Sequence, residues 1–267
     1  MKPTFILGMG APKAGTSWLH NTLSKNDNVN LGFTKEYHIW DYVFSDLCAE
    51  FKAPVKKPDK PGAAMRRMMQ AFPAVYTKYF QGLINSNVNV TGDITPSYSM
   101  INQQGLQQIS GILGDAGFDV KVVFLMRDPI DRIWSAVRME RRNILRTGHK
   151  LDDAFCEERV REYLGIKSHV ARSDYKTSVQ NITKVFAKDK IYFELYESLF
   201  QRKSIDNLED FLGFPLNNVD FSERVNQSPE EQLSQKTIDL LFDFFAPQYE
   251  FCKDNFAEVN GLWRDLV

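Results

Sequence analysis

Two glycines near the start of the chain have the spacing of a phosphate-binding loop. Gly10 and Gly15 follow the apolar residues 5–8, and a helical pattern begins at Thr16. A strand that turns through glycines into a helix presents backbone N–H groups and a positive helix end to an anion. In the nucleotide loop G-x-x-x-x-G-K-[ST], a lysine after the second glycine reaches the β- and γ-phosphates. Here Thr16 takes that place and the cation is Lys13 within the turn, which predicts an anion site with chemistry other than ordinary γ-phosphoryl transfer.

A second anion-binding pattern lies far downstream. The apolar run Val120 to Met126 ends at Arg127, and Ser135 follows eight residues later. Asp128 and Pro129 are typical of a helix start, as N-cap and first helical residue. They do not account for Arg127, because a cation at the carboxyl end of a buried strand lies where α/β sheets bind ligands, and a guanidinium holds a phosphate through two hydrogen bonds. Ser135 is spaced seven residues from Asp128, so its hydroxyl is predicted to face the same phosphate.

These two patterns together resemble those of sulfotransferases that use 3′-phosphoadenosine 5′-phosphosulfate (PAPS). The residues Pro12-Lys13-Ala14-Gly15-Thr16-Ser17 are similar to that family's 5′-phosphosulfate loop, and residues 127–135 are similar to its 3′-phosphate element. The resemblance implies that Lys13 is also catalytic, since in the family this lysine contacts the oxygen that bridges phosphate and sulfur, where negative charge develops. The residues implied to bind PAPS are Lys13, Ala14, Gly15, Thr16, Ser17, Trp18, Arg127 and Ser135.

The resemblance also implies a catalytic base in Lys35-Glu36-Tyr37-His38. The heparan-type members of the family have a catalytic glutamate after a lysine here, which makes Glu36 the first candidate, and His38 is the second. A carboxylate within about 2.6 to 3.2 Å of the acceptor hydroxyl can take its proton. The alternatives are a solvated salt bridge between Glu36 and Lys35 and a structural role for His38. Lys35 is predicted to bind substrate if it holds the sulfuryl oxygens instead.

A further segment, Gly92-Asp93-Ile94-Thr95-Pro96-Ser97-Tyr98, is similar to the family's G-[ED]-x-[ST]-P-x-Y. It is expected to leave a strand and line the cleft, with Asp93 and Tyr98 as substrate-binding residues. Asp93 then orients acceptor hydroxyls or pairs with Lys35, and the alternative is a simple proline or Asx turn.

Two other segments are less typical of the family. Many relatives close a basic, glycine-bearing loop over the nucleotide, whereas residues 222–229 here contain Arg224 as the one cation. Either Arg224 and Asn226 close the site, or the cap is built differently. The arginine-rich run Arg138 to Arg146 is read as a solvated helix face in preference to a patch for an anionic acceptor.

Composition limits the class of protein. The 267 residues are enough for one large α/β domain, and 33 Lys and Arg against 34 Asp and Glu give no general reason to bind nucleic acid or an anionic membrane. Three widely spaced cysteines argue against a disulfide framework or a zinc cluster, so no metal is expected. The apolar run after Lys2 is too short for a signal segment and no run is long enough to insert in a membrane, which predicts a cytoplasmic protein.

The alternation of short apolar runs and longer helical patterns predicts a P-loop-like α/β fold over residues 1–267, a single domain with a central, mainly parallel β-sheet flanked by helices. Residues 53–82 are read as an acceptor-side insertion, which opens with a proline-rich loop from Ala53 to Gly62. The predicted strands are Thr4 to Leu7, Val29 to Leu31, Val88 to Val90, Val120 to Met126 and Ile191 to Leu195. The predicted helices are Thr16 to Ser24, Gln103 to Leu113, Pro129 to Leu145, Thr177 to Phe186, Ser198 to Leu212 and Pro229 to Phe245.

The expected activity is transfer of the sulfuryl group from PAPS to a hydroxyl or amine of a small-molecule or glycan acceptor by a single in-line displacement. Two alternatives stay open. One is a P-loop kinase or other phosphotransferase whose loop has diverged, with Asp93 as a Mg²⁺ ligand. The other is a catalytically inactive nucleotide-binding module. The sequence indicates neither the acceptor nor the oligomeric state.

Overall fold

The computed structural model describes residues 2–53, 61–152, 154–221 and 232–264. Within these ranges, one five-stranded sheet has the order β2-β3-β1-β4-β5, and every neighbouring pair of strands is parallel. The predicted α/β fold with a central parallel sheet is confirmed. The strands are β1 Thr4–Gly10, β2 Val29–Asn30, β3 Val90–Ile94, β4 Asp119–Met126 and β5 Ile191–Leu195.

Helices connect and flank these strands, as parallel strands require crossover connections. A 3₁₀ helix, Asp46–Phe51, lies between the second and third α-helices. The α-helices of the described residues are α1 Thr16–Ser24, α2 Trp40–Phe44, α3 Pro61–Ala71, α4 Pro73–Leu83, α5 Gln103–Asp115, α6 Pro129–Arg146, α7 Phe155–Leu164, α8 Lys167–Ala171, α9 Tyr175–Val185, α10 Arg202–Leu212 and α11 Gln235–Asn255.

The helix start at Asp128 is confirmed in detail. The Asp128 carboxylate accepts hydrogen bonds from the backbone N–H groups of Ile130 at 2.9 Å and Asp131 at 3.1 Å, and Pro129 is the first residue of α6. The same carboxylate accepts from the Tyr249 hydroxyl at 2.8 Å and pairs with Arg264 at 2.7 Å. One buried cap therefore fixes α6 to the C-terminal part of the described chain.

The predicted strand Val88 to Val90 is wrong in its position, because β3 begins at Val90 and continues to Ile94. Glycine and aspartate are uncommon in strands, so the strand was expected to end before Gly92 and Asp93. Both pair with β1, opposite Ile6 and Leu7, and both are buried. Tertiary hydrogen bonds to the Asp93 carboxylate, described below, overcome the local preference.

The proline-rich segment was expected to be a loop from Ala53 to Gly62, but Pro61 and Gly62 already belong to α3. Residues 54–60 lie outside the described residues. The rest of the predicted insertion forms the helical pair α3 and α4, in which Pro73 begins the second helix. Helix α10 begins at Arg202 instead of Ser198, and α11 runs from Gln235 to Asn255 instead of ending at Phe245.

In the described part of the chain, no helix is long and apolar enough to cross a membrane. Cys48, Cys156 and Cys252 are free and buried. The cytoplasmic location stays a prediction of the sequence.

A substitution at Gly92 tests how closely β1 and β3 approach each other. A Cβ at position 92 would lie 2.4 Å from the Ile6 carbonyl oxygen, which is backbone that cannot move aside. We expect Gly92→Ala to lower the free energy of unfolding by about 1 to 3 kcal/mol through overpacking, as measured by urea denaturation.

Gly111 provides the matched control. It lies within α5, and a Cβ there would meet no atom within 4 Å. Gly111→Ala should therefore leave stability unchanged or raise it by about 0.5 to 1 kcal/mol. Equal effects of the two substitutions would contradict the close approach of β1 and β3.

Candidate active site

A cleft of about 480 Å³ opens at the carboxyl edge of the sheet, where open α/β sheets bind ligands. The segments after four different strands contribute to it: Lys13 follows β1, Pro96 follows β3, Arg127 follows β4 and Tyr196 follows β5. Its lining residues are Pro12, Lys13, Gly15, Thr16, Ser17, Trp18, Lys35, Glu36, His38, Phe51, Pro96, Ser97, Arg127, Ser135, Arg138, Met139, Arg172, Tyr196 and Phe200.

The turn between β1 and α1 has the backbone of an anion cradle. Gly15 is the N-cap of α1 and has a φ of 93°, a left-handed conformation that glycine adopts without strain. A Cβ at this position would lie 2.5 Å from a methyl carbon of Leu199. The first N–H groups of α1 have no partner within the helix, and Thr16, Ser17 and Trp18 line the cleft. The start of α1 therefore faces the cleft.

Lys13 is the cation of this turn. Burial and then the positive charges of Arg142, Arg127, Lys35 and Arg138 lower the pKa of Lys13 to about 8. Its Nζ contacts the Met139 sulfur at 3.5 Å, and no carboxylate of the described residues pairs with it. A partly desolvated ammonium group among other cations favours an anionic ligand, which would relieve the repulsion.

Arg127 connects the two segments that were predicted to bind phosphate. Its Nη1 donates to the Lys13 carbonyl at 3.2 Å, and its guanidinium lies 4.3 Å from the centre of the Tyr196 ring. The buried Tyr175 hydroxyl donates to the Arg127 carbonyl at 2.7 Å and accepts from the Arg127 N–H at 3.3 Å. Tyr175 thus fixes the backbone of Arg127. Ser135 lines the same cleft from α6, as the spacing predicts.

The two candidate bases lie side by side. Glu36 Oε2 is 3.3 Å from His38 Nε2, and the other oxygen of Glu36 is in contact with Lys35 Nζ. Burial raises the pKa of Glu36, but the hydrogen bond to His38 and the charge of Lys35 outweigh this effect and lower the pKa to about 2. Glu36 is therefore a carboxylate at neutral pH, and its side chain is 38% exposed towards the cleft.

His38 is held between two carboxylates. Its Nδ1 is 2.7 Å from Asp41 Oδ2, and the Ser97 hydroxyl donates to the same Asp41 oxygen at 2.5 Å. Burial lowers the pKa of His38, but the hydrogen bonds to Asp41 and Glu36 outweigh it and raise the pKa to about 9. His38 is consequently an imidazolium at neutral pH and has a proton to donate.

Asp93 and Tyr98 lie beneath the cleft and are not among its lining residues. Both are fully buried, and the Asp93 carboxylate accepts hydrogen bonds from the hydroxyls of Tyr98 at 2.6 Å, Thr95 at 2.6 Å and Tyr76 at 3.0 Å. Burial raises the pKa of Asp93 to about 6 despite these bonds. In this structure they support the segment that carries Tyr37, whose N–H donates to Thr95 Oγ1 at 3.0 Å. Their contact with an acceptor stays a prediction that this placement does not favour.

Sequence reasoning missed four residues of the lining: Phe51, Arg172, Tyr196 and Phe200. Tyr196 follows β5 directly, so the rule that ligands bind at the carboxyl ends of parallel strands was a usable signal for it. Its ring packs edge-on against Phe200, with centroids 5.2 Å apart, and Phe200 packs in the same way against Trp18 at 5.5 Å. Phe51 and Arg172 reach the cleft from distant segments that no motif marks.

Arg138 lines the cleft, so the arginine-rich part of α6 is not only a solvated face. Arg224 and Asn226, the candidates for closing the nucleotide site, lie outside the described residues. Among the described residues, no group of three or more His, Cys, Asp or Glu side chains is placed to hold a metal ion. The expected absence of a metal stays a prediction.

Comparison with known proteins bears on the family and the fold. Residues 117–241 match the family model described as Sulfotransferase domain, a range that contains Arg127 and Ser135 but begins after Lys13 and Glu36. A search of curated proteins found no match. The predicted resemblance to the sulfotransferase family is confirmed over the matched range.

Two solved structures share the fold. A sulfotransferase from Alicyclobacillus acidocaldarius is 18% identical, with a TM-score of 0.63 over 100% of this chain and 98% of that chain. The sulfotransferase domain from the curacin biosynthetic pathway is 16% identical, with a TM-score of 0.50 over 91% of this chain and 98% of that chain. At these identities the likeness shows the fold alone.

The pairing of His38 with two carboxylates predicts an unusual titration. By long-range ¹H–¹⁵N NMR, we expect His38 to lose its proton near pH 9, whereas burial and nearby arginines lower the pKa of His169 to about 4. Because the pKa of His38 in the folded state is above its ordinary value of 6.5, its contribution to stability is complete below pH 6.5. That contribution is lost as the pH rises towards 9.

His38→Asn removes this contribution and identifies the signal. The free energy of unfolding of the wild type, relative to that of His38→Asn, should fall between pH 6.5 and 9. A His38 midpoint near 6.5, or parallel pH profiles for the two proteins, would contradict the arrangement.

Proposed function

We propose that this protein transfers the sulfuryl group of PAPS to a hydroxyl or amine of an acceptor. The observation that carries the proposal is the hydrogen bond from Arg127 to the Lys13 carbonyl, which joins two phosphate elements separated by 114 residues into one site. A donor with phosphate or sulfate groups at both its 3′ and 5′ positions needs two such elements close together.

The cleft offers a suitable group for each part of PAPS. The N–H groups at the start of α1 and Lys13 would hold the 5′-phosphosulfate, and Arg127 with Ser135 would hold the 3′-phosphate. Tyr196 and Phe200, which are half-buried, offer aromatic surface for the adenine ring, a contact that every purine can make. All these residues come from the ends of strands or from the helices that follow them.

The reaction proposed is a single in-line displacement. An acceptor oxygen or nitrogen attacks sulfur, the bond between sulfur and the bridging oxygen breaks, and adenosine 3′,5′-bisphosphate leaves. Lys13 stabilises the negative charge that develops on the leaving group. The proton of the acceptor passes to a base in the cleft.

Glu36 is the base that the geometry favours. His38 is already protonated at neutral pH, since its pKa is about 9, and cannot take another proton. Glu36 is ionised and faces the cleft, and His38 holds one of its oxygens in place. The contact with Lys35 makes Glu36 a weaker base, because it lowers the pKa of Glu36. If the Lys35 ammonium group moved from Glu36 to the sulfuryl oxygens, the pKa of Glu36 would rise at the moment when a base is needed.

The placement of Asp93 argues against a diverged kinase. A phosphotransferase needs a carboxylate near the phosphate loop to hold Mg²⁺. Asp93, the candidate for that role, is fully buried and accepts hydrogen bonds from three hydroxyls. The other alternative is a nucleotide-binding protein without catalytic activity, and a measurement of turnover distinguishes it from an enzyme.

The acceptor is proposed to enter beside His38, where Phe51, Ser97 and Arg172 line the cleft. We propose that the chain forms one sulfotransferase domain over residues 1–267, with residues 53–82 as its acceptor-side insertion. The proposed acceptor is a small molecule or a glycan.

Nucleotide binding tests the proposal that Arg127 and Ser135 hold the 3′-phosphate. Adenosine 3′,5′-bisphosphate at 100 times its Kd should stabilise the protein by about 2.7 kcal/mol, and adenosine 5′-monophosphate at the same concentration should do so far less, because it lacks the 3′-phosphate. Thermal unfolding with each nucleotide measures the difference.

Arg127→Ala should abolish the preference for the bisphosphate, while Arg202→Ala, an exposed control on α10, should keep it. Equal stabilisation of the wild type by the two nucleotides would contradict the 3′-phosphate site.

Substitutions of Lys13 and Glu36 should lower turnover for different reasons. Lys13→Ala removes the charge that stabilises the leaving group, so turnover should fall about 10²-fold or more. Glu36→Gln keeps the shape but cannot accept a proton, which costs about 10²- to 10⁴-fold. Transfer of label from [³⁵S]PAPS to water and to acceptors in an extract of the source organism measures both effects, and mass spectrometry identifies the labelled product.

Lys184→Ala and Glu250→Gln, both at exposed positions, are the controls and should keep full activity. Binding of adenosine 3′,5′-bisphosphate should survive Glu36→Gln. If Glu36→Gln is active and His38→Asn is not, then His38 is the base. A wild type that binds the bisphosphate and transfers no label would favour the inactive module.

A further inference from the structure

Helix α3 holds the backbone on which the candidate base lies. The side-chain N–H₂ group of Gln70 donates to the His38 carbonyl at 2.6 Å and to the Phe51 carbonyl at 3.0 Å. Its side-chain oxygen accepts from the Ala53 N–H at 3.0 Å. One amide thus satisfies three backbone groups from two separate segments.

These two segments enclose the His38 ring. The ring of Phe51 stacks on the His38 imidazole, with centroids 3.8 Å apart and planes inclined by 13°. Gln70 binds the carbonyls of both residues in this stack, so it fixes the distance between them. Phe51 lines the cleft beside His38.

The backbone of His38 requires such support. Its φ of 55° lies in the left-handed region, which is unfavourable for a residue with a side chain and persists only where the surroundings impose it. Arg66, one turn before Gln70 on α3, donates from Nε to the Tyr37 carbonyl at 2.6 Å. Two consecutive carbonyls next to Glu36 are therefore held by the same helix.

We propose that Gln70 is a positioning residue for sulfuryl transfer, which holds His38 and Phe51 so that the imidazolium orients the Glu36 carboxylate towards the acceptor. The inference rests on the proposed function, because it assigns Gln70 a part in that reaction. Gln70 does not line the cleft and is not expected to touch either substrate.

The size of the effect follows from geometry. Glu36 reaches His38 across 3.3 Å, so a movement of the His38 backbone by about 1 Å breaks that contact. Misplacement of this size at a reacting group can cost about 10²-fold in rate. The donor site is built on β1, β4 and α6 and does not depend on α3, so binding of the donor should be unaffected.

The experiment compares two glutamines of the same helical pair. Gln70→Leu removes every polar contact of the amide, and Gln81→Leu on α4 removes one exposed hydrogen bond to the Ala116 carbonyl. Release of sulfate from [³⁵S]PAPS, with water as the acceptor, is measured together with the NMR titration of His38. Gln70→Leu should lower kcat about 10- to 100-fold, with the KM for PAPS within 2-fold of the wild type. The His38 midpoint should move from about 9 towards 6.5, and Gln81→Leu should match the wild type in all three.

If Gln70→Leu does not fold, Gln70→Glu is used as the test variant instead. It keeps the size and the contact with Ala53, but a carboxylate cannot donate to the His38 and Phe51 carbonyls, so kcat should fall in the same way. The inference is overturned if the folded Gln70 variant has the kcat of the wild type, or if Gln81→Leu loses as much. If wild-type protein transfers label from [³⁵S]PAPS neither to water nor to an acceptor in the extract, the proposed function fails, while the His38 titration still decides whether Gln70 positions the imidazole.

Discussion

Concentration of positive charge at the carboxyl edge of the sheet is the constraint on which the site depends. Lys13 is partly desolvated, and the charges of Arg142, Arg127, Lys35 and Arg138 act on it in addition, so its pKa falls to about 8. Like charges at such distances oppose folding, and the α1 N-terminus adds a positive end of its own. An anion in the cleft would relieve this repulsion, which supports the proposal that the edge binds a phosphate- or sulfate-bearing ligand.

Around the candidate base Glu36, positive and negative side chains lie in contact with one another. Glu36, His38 and Asp41 alternate as carboxylate, imidazolium and carboxylate, and Ser97 completes the hydrogen bonding of Asp41. Lys35 belongs to both sides, because it contacts Glu36 and its charge also lowers the pKa of Lys13. In the proposed reaction, a donor anion that draws Lys35 away from Glu36 would therefore raise the basicity of Glu36, and arrival of the donor would activate the base.

Local signals made part of this structure predictable. The glycine spacing of the first loop and the Asp-Pro start of α6 are encoded in a few neighbouring residues, so both were predicted with correct helix starts. The burial of Asp93 could not be predicted, because it depends on hydroxyls of Tyr76 and other residues brought in by tertiary packing. The role of Gln70 could not be predicted either. Its side chain forms hydrogen bonds with residues 17 to 32 positions away in the sequence, and no local pattern marks it.

The two halves of the site gain their rigidity in different ways. The proposed donor half is set by strand register. Strand β1 lies between β3 and β4, and the loops that follow β1 and β4 meet where Arg127 binds the Lys13 carbonyl. The base half lies beyond the short strand β2 and is held by side-chain bonds from α3 to backbone carbonyls. If Glu36 is the base, a substitution in α3 would displace it without disturbing the sheet. Changes in the predicted insertion can alter the acceptor side of such a protein while the donor site stays intact.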